Sequence, residues 1–493
     1  VTIHNPSETM KNLLLSSSLQ AVLMCCLGTS LAYTTFAKPS GRCFRSAIFA
    51  AKDTPIDLPE FQDAEEYLEY MESVSSLPKG FATGTADGTF VSQEAPNLGR
   101  LAIRGTVVQL TEGPTDSWAA CFTSNKFPGA PVRVGRKRLA DGGSIAALVI
   151  NNKVSNVCSG GDGEQDAELV CEAVAKSLNL DSREQVLPSS TGVIGWRLPA
   201  KELAEDIVPA AVKNMQIKSA LNAAEAIMTT DRFPKVRSKT LSNGSRIVGM
   251  AKGAGMIEPN MATMLSYIMT DATISKKDLQ EMLSTIVNET FNCLSIDGDE
   301  STSDTVVSIA SNQVTAALDL GEFKSALREV CQGLAKDIVR NGEGTGHVMK
   351  VQIDHFPGSM RSARFLGRHI VNSPLFKCAV AGNDPNTGRL AGAIGSYLGK
   401  YMPDADVSTM TLTLGNRVIF ENGKFVLGGE EVEKELSDHM MNAEYGDSTN
   451  YPPHQRFVEI GVDFGENCGD TSVTVFGSDL TKEYVEINAD YRS

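Results

Sequence analysis

From Leu77 onward the hydrophobic positions of the chain switch between short apolar runs and runs with the three-four spacing of one helix face. Leu101 to Leu110, Trp118 to Thr123 and Ile145 to Ile150 predict strands. Between Asp162 and Leu178 the apolar positions Ala167, Val170, Cys171, Val174 and Leu178 predict a helix. Further helices are expected over Ala200 to Met215, Ser219 to Met228, Asp278 to Leu294 and Phe323 to Val339. Strands are expected over Arg246 to Ala251, Thr263 to Thr270, Thr305 to Ile309 and Val348 to Ile353. Past Pro357 the pattern predicts helices near Arg361 to Ile370 and Thr387 to Leu398, then a run of strands to the C-terminus. Alternating elements with no repeat of about 20 to 50 residues predict an α/β fold, mixed sheets layered with helices.

The first 76 residues read differently. Met10-Lys11 and the interrupted apolar run Leu13 to Leu31 resemble a secretory signal. Tyr33 to Lys52 is basic and hydroxyl-rich, with no acid before Asp53, as in an organelle transit peptide. Residues 1–52 are therefore expected to be a bipartite targeting presequence, with the plastid stroma as destination and the mitochondrial matrix as the alternative. Residues 53–76 carry Glu60, Asp63, Glu65, Glu66, Glu69 and Glu72 and predict an acidic linker with a short helix.

Composition narrows the partners. The 493 residues are 42% apolar, enough for a large core, and the net charge of −15 argues against a nucleic-acid or anionic-membrane partner. A small-molecule substrate is the better expectation. The ten cysteines include no C-x-x-C pair and the six histidines form no cluster, so neither a zinc site nor a disulfide framework is expected. No G-x-S-x-G elbow or H-E-x-x-H pair occurs. Gly342-Glu343-Gly344-Thr345-Gly346 follows a helix and opens a strand, the reverse of a phosphate-binding glycine loop. Asp297-Gly298-Asp299-Glu300-Ser301 has Thr302 where a calcium loop has glycine, so a hydrogen-bonded loop is expected there.

Lys252 to Met269 draws the chemistry together. A glycine-bearing loop, Lys252-Gly253-Ala254-Gly255-Met256-Ile257-Glu258-Pro259-Asn260-Met261-Ala262, runs into an apolar strand that begins at Thr263. Read alone, it is more simply a turn entering a core strand. If the Ala262–Thr263 bond were cut, Thr263 would carry a hydroxyl and a free amine on one residue, a nucleophile with its own base. Ser189-Ser190-Thr191-Gly192 is a second turn able to aim a hydroxyl and an N–H at one point, as an oxyanion hole requires.

These segments resemble the ornithine acetyltransferase family of arginine biosynthesis, also called the bifunctional glutamate N-acetyltransferases. The resemblance runs from about Leu77 to the last residue. It is carried by Leu77-Pro78-Lys79-Gly80-Phe81, Ser190-Thr191-Gly192-Val193-Ile194-Gly195, Met228-Thr229-Thr230-Asp231, Lys252-Gly253-Ala254-Gly255-Met256-Ile257, Pro259-Asn260-Met261-Ala262-Thr263-Met264-Leu265, Asp297-Gly298-Asp299, Asp337 to Gly344, and Tyr484 to Tyr491. It implies a two-domain N-terminal-nucleophile acyltransferase, DmpA-like in fold, made as a precursor that cuts itself between Ala262 and Thr263. The α chain would be 77–262 with the oxyanion hole, the β chain 263–493 with the nucleophile, and the assembly α2β2. Thr263 would take the acetyl group of N2-acetylornithine and pass it to glutamate, with Thr191 and Gly192 as oxyanion donors. The implied substrate-binding positions are Thr229 or Thr230, Lys252, Thr263, Glu343, Asn488 and Ser493. No cofactor and no metal are implied, and whether acetyl-CoA is a second donor stays open. The mature protein would have no membrane or nucleic-acid partner. An amidase or aminopeptidase using the same kind of nucleophile is the alternative.

Three places depart from the family's usual wording: Lys153-Val154 in the loop Ile150 to Gly160, Arg232 after Asp231, and Glu258 before Pro259. An acid at 258 is expected to tune self-cleavage or to raise the pKa of the new amine if close.

Overall fold

The computed structural model describes residues 52–258, 264–426, 428–446 and 449–489. The expected presequence up to residue 51, Ala262, Thr263 and Ser493 lie outside the described residues.

Two sheets pack face to face. The first orders the strands Phe81–Val91, Arg100–Leu110, Ala147–Asn151 and Val186–Ser190. The second orders Trp118–Phe122, Thr305–Val314, Leu265–Ala272, Arg246–Lys252 and Lys235–Thr240. The core they share holds Val108, Leu148, Ile150 and Leu187 from one sheet and Val248, Leu265, Tyr267 and Met269 from the other. Leu265, Tyr267 and Met269 point one way and Ile268 the other, because a strand's side chains alternate. The outer face of the second sheet packs on the helices Lys276–Glu289 and Leu320–Arg340. The outer face of the first packs on Gly163–Leu178 and Val208–Lys213. The result is a four-layer arrangement, helix, sheet, sheet, helix. A third, seven-stranded sheet, with Val458–Asp463 as its central strand and Val348–Phe356 beside it, has its own helical cover and its own core.

The helix expected from Asp162 starts there for a clear reason. Asp162 Oδ1 accepts the amides of Glu164 at 3.1 Å and Gln165 at 3.0 Å, satisfying donors that the first turn would leave unpaired. The helix expected over Ala200 to Met215 is interrupted by a π-helical turn, Leu203–Ile207, just before Val208–Lys213 with its proline near the start.

Two expectations fail here. The C-terminal part is not only strands, since Glu430–Asn442 and Lys482–Ala489 are helices. The first was readable: Val432, Leu436 and Met440 keep helical spacing and are buried, with three acids in the first turn. Residues 53–76 hold the expected short helix, but the segment is packed into the fold rather than acting as a linker. The helix Ala64–Val74 buries Tyr67, Met71 and Val74 in the core that the first two sheets share, and the Tyr67 hydroxyl donates to the Pro234 carbonyl at 2.6 Å. Its acids kept that apolar stripe out of view. Two flanking acids also have buried partners, Asp53 with Arg246 at 3.1 Å and Asp57 with Lys336 at 2.9 Å.

Every residue of Leu265–Ala272 is buried. Leu265 pairs with Lys252 on one side and with Thr305 on the other. One end of the second sheet thus aligns Lys252, Met264–Leu265 and Asp304–Thr305. In the first sheet, Val186–Ser190 runs directly into Thr191.

Candidate active site

One cavity of about 290 Å³ is lined by Thr191, Gly192, Thr229, Thr230, Lys252 and Glu343, together with Asn488 and Met264. Every expected site residue within the described residues therefore lines the same space. Met264, next in the chain after Thr263, is among them.

Glu343 is its charged centre. The carboxylate is buried, with Thr230 Oγ1 donating to Oε1 at 2.6 Å and Asn488 Nδ2 donating to Oε2 at 2.9 Å. Its backbone N–H donates to the Ala254 carbonyl at 2.8 Å, tying the turn after Leu320–Arg340 to the glycine loop. The two threonines left open by the sequence divide their work. Thr230 holds Glu343, while Thr229 Oγ1 receives the Lys252 ammonium at 3.5 Å.

Asp231 is the buried brace beneath these groups. Its Oδ1 accepts the Gly253 amide at 2.8 Å and the Lys235 ammonium at 2.6 Å, and its Oδ2 accepts the Thr229 amide at 3.1 Å. Burial alone would raise the pKa of this carboxyl, but the Lys235 and Lys252 charges outweigh it and hold the group below the usual range. Lys252 shifts down as well: burial disfavours its charge, and Asp231, Glu343 and Asp304 only partly restore it against the like charge of Lys235.

The Asp297 loop is hydrogen-bonded, as expected from its sequence. Oδ2 accepts the Met256 amide at 2.7 Å and Oδ1 the Ile257 amide at 2.8 Å, which fixes the glycine loop from outside. Gly255 is required by a close approach rather than by its dihedral angles. A Cβ there would lie 2.3 Å from Glu343 Oε2.

On the opposite wall, the Thr191 amide donates to the Asn151 carbonyl at 3.1 Å and the Val193 amide to the Lys153 carbonyl at 2.9 Å. Among the described residues, the Gly192 N–H between them has no backbone acceptor. The unusual Lys153-Val154 pair is thus part of the support for this turn, with Lys153 at φ 68° and Val154 bridged to Val193.

Glu258 does not join this group. Its carboxylate accepts the Ser295 hydroxyl at 2.9 Å and the Asn372 side-chain amide, and it lines a different cavity beside Arg368. The amine that an acid at 258 was expected to tune belongs to Thr263, which lies outside the described residues.

Residues 103–493 match the sequence model of the ArgJ family. The chain belongs to that family. An arginine biosynthesis bifunctional protein, ArgJ 2, of Clostridium acetobutylicum is 36% identical over 382 residues, covering 76% of this chain and 90% of that protein. A glutamate N-acetyltransferase of Methanothermobacter thermautotrophicus is 39% identical over 378 residues, covering 76% of this chain and 89% of that protein. A solved structure of an arginine biosynthesis bifunctional protein from Bacillus halodurans is 32% identical with a TM-score of 0.39, covering 46% of this chain and 99% of that one.

Two carboxylates of this ArgJ-family site went unread in the sequence, Asp231 behind the cavity wall and Asp304 in its lining. Asp304 lines the cavity and is 3% exposed. Burial drives its carboxyl well above the usual range, opposed by the Ser301 and Thr123 hydroxyls, by the Lys252 charge and by the Met264 amide. The available signal was register: Asp304 immediately precedes a buried apolar run that lies beside the strand after Thr263.

Proposed function

We propose that this chain transfers an acetyl group from N2-acetylornithine to glutamate in arginine biosynthesis, through an acetyl ester on Thr263. The supporting observation is the convergence of Glu343, Lys252 and the Thr191–Gly192 turn on one cavity that Met264 also lines. The names of the relatives, a glutamate N-acetyltransferase and a bifunctional protein of arginine biosynthesis, agree with this reading.

On this reading the precursor cuts itself between Ala262 and Thr263, giving an α chain, 77–262, and a β chain, 263–493, that assemble as α2β2. The Thr263 α-amine takes the proton of its own hydroxyl as the oxygen attacks the acetyl carbonyl. The Thr191 hydroxyl and Gly192 N–H receive the developing oxyanion, each such donor contributing about a hundredfold to a thousandfold in rate. The proton passes to the departing amine and ornithine leaves. The amine of glutamate then attacks the acetyl ester, N-acetylglutamate departs, and the Thr263 hydroxyl is restored. Glu343 offers its carboxylate to a substrate ammonium and Lys252 its cation to a substrate carboxylate. Ser493 is a further proposed substrate contact, and acetyl-CoA a further proposed donor. Residues 1–52 would direct the chain to the plastid stroma, with the mitochondrial matrix as the alternative.

The experiment is incubation of purified protein with N-acetylornithine, with and without glutamate. N-acetylglutamate should form, and ornithine release should continue past one turnover only when glutamate is present. Full-rate deacetylation without glutamate would instead identify an amidase.

A further inference from the structure

We propose that Arg232 is a positioning residue: through Glu483 it latches the helix Lys482–Ala489 over the cavity, so that Asn488 reaches Glu343. This inference rests on the proposed function for its kinetic consequence but not for its structural one.

The helix has no buried residue, so apolar packing does little to hold it. Its attachments are polar. Arg232 Nη2 lies 2.8 Å from Glu483 Oε1, with the two side chains 16% and 37% exposed. Just before the helix, Thr481 Oγ1 donates to the Gly344 carbonyl at 2.6 Å. Gly344 has φ 62°, and a Cβ on it would stand 2.3 Å from the Tyr484 amide nitrogen, so the first turn of the helix lies directly on the backbone of the turn that carries Glu343. At the other end of the helix, Asn488 makes its bond to Glu343 Oε2.

Arg232 is well placed to join these parts. It lies two residues beyond Thr230, which grips Glu343 Oε1, and its own amide donates to Asn341 Oδ1 at 3.2 Å at the end of Leu320–Arg340. One short segment therefore holds one carboxylate oxygen directly, through Thr230, and the other indirectly, through Arg232, Glu483 and Asn488. Without the latch the helix would spend less time docked. A substrate that needs the docked form would bind more weakly by the fraction lost, while the rate of the bound complex stays the same.

The test uses Arg232→Met, which keeps the aliphatic stem, and the exchanged pair Arg232→Glu with Glu483→Arg. Hydrogen–deuterium exchange of the 482–489 segment should rise about fivefold in Arg232→Met, the range of a partly exposed ion pair, and fall back in the exchanged pair. In steady-state assays KM for N-acetylornithine should rise by a similar factor with kcat unchanged. Unaltered exchange in Arg232→Met, or no recovery in the exchanged pair, would overturn the latch, as would a loss of kcat at constant KM. If the wild-type protein transfers no acetyl group, the functional reading fails and the exchange measurement still decides the latch.

Discussion

Thr230 Oγ1 and Glu343 Oε1 are 2.6 Å apart, although 113 positions separate the residues in sequence. A hydroxyl donating to a buried carboxylate is a charge-assisted bond, and it fixes the direction of the carboxylate that, on the proposed reading, meets a substrate ammonium. Thr230→Val should lower kcat/KM for N-acetylornithine about tenfold. Thr229→Val should cost less, because its contact with Lys252 is 3.5 Å long. Steady-state kinetics of the two variants check this, and equal losses would contradict the division of labour.

Gly255→Ala places a methyl group against the same carboxylate. Since the added Cβ would meet Glu343 Oε2 at 2.3 Å, either the carboxylate or the glycine loop must move. KM should rise about tenfold, on the scale of one disturbed charged contact. A Cβ added at Gly395, on the helix Thr387–Tyr401, would meet nothing within 4 Å, so Gly395→Ala is the control and should leave kinetics unchanged.

Lys252 gives a pH dependence. Its charge is lost above its pKa, which burial sets below that of an ordinary lysine, and Asp231, Lys235, Glu343 and Asp304 all bear on it. KM for glutamate should therefore begin to rise on the alkaline side before the ordinary lysine value of about 10.4 is reached. Lys252→Arg keeps a charge that does not titrate in this range, so the alkaline rise should disappear even if the starting KM is worse. A pH profile of KM for both proteins makes the comparison.

His347 ties the Glu343 turn to Asp479, the residue that follows the strand Thr471–Ser478. Its Nδ1 is 2.8 Å from Asp479 Oδ2 and its Nε2 is 3.1 Å from Asn383 Oδ1, so both ring nitrogens face acceptors. Burial would lower the imidazole pKa, but the Asp479 hydrogen bond and charge raise it above its ordinary value. The imidazolium therefore stabilises the fold fully below about pH 6.5, the unfolded value, and this contribution is lost as pH rises through the raised folded value. His347→Gln should lower Tm by a few degrees at about pH 6 and by less at about pH 9. An equal loss at both pH values would assign the effect to packing instead.

Periodicity made the layered fold legible where one face of an element is apolar and the other polar. The helices Gly163–Leu178 and Lys276–Glu289 are of this kind. At Ala64–Val74 a short helix was expected but its burial was not, because Glu65, Glu66, Glu69 and Glu72 surround the buried stripe of Tyr67, Met71 and Val74. At Lys482–Ala489 no buried stripe exists to be read, because polar contacts attach that helix.

The cavity was legible through resemblance rather than through spacing. Thr191, Lys252, Glu343 and Asn488 come from distant parts of the chain. Pairing of Leu265 with both Lys252 and Thr305 across neighbouring strands is what brings the segments of one wall together, and no linear pattern announces it. Asp231 and Asp304 stayed unread because a buried carboxylate is recognisable only once its partners are known.

The proposed reaction depends on Thr263 as nucleophile. The most direct measurement is mass spectrometry of the purified protein after brief exposure to N-acetylornithine without glutamate. The prediction is a fragment that begins Thr263-Met264-Leu265 and carries one acetyl group on Thr263, which disappears when glutamate is added. An uncut chain, or a fragment whose acetyl group sits elsewhere or fails to transfer, would contradict it.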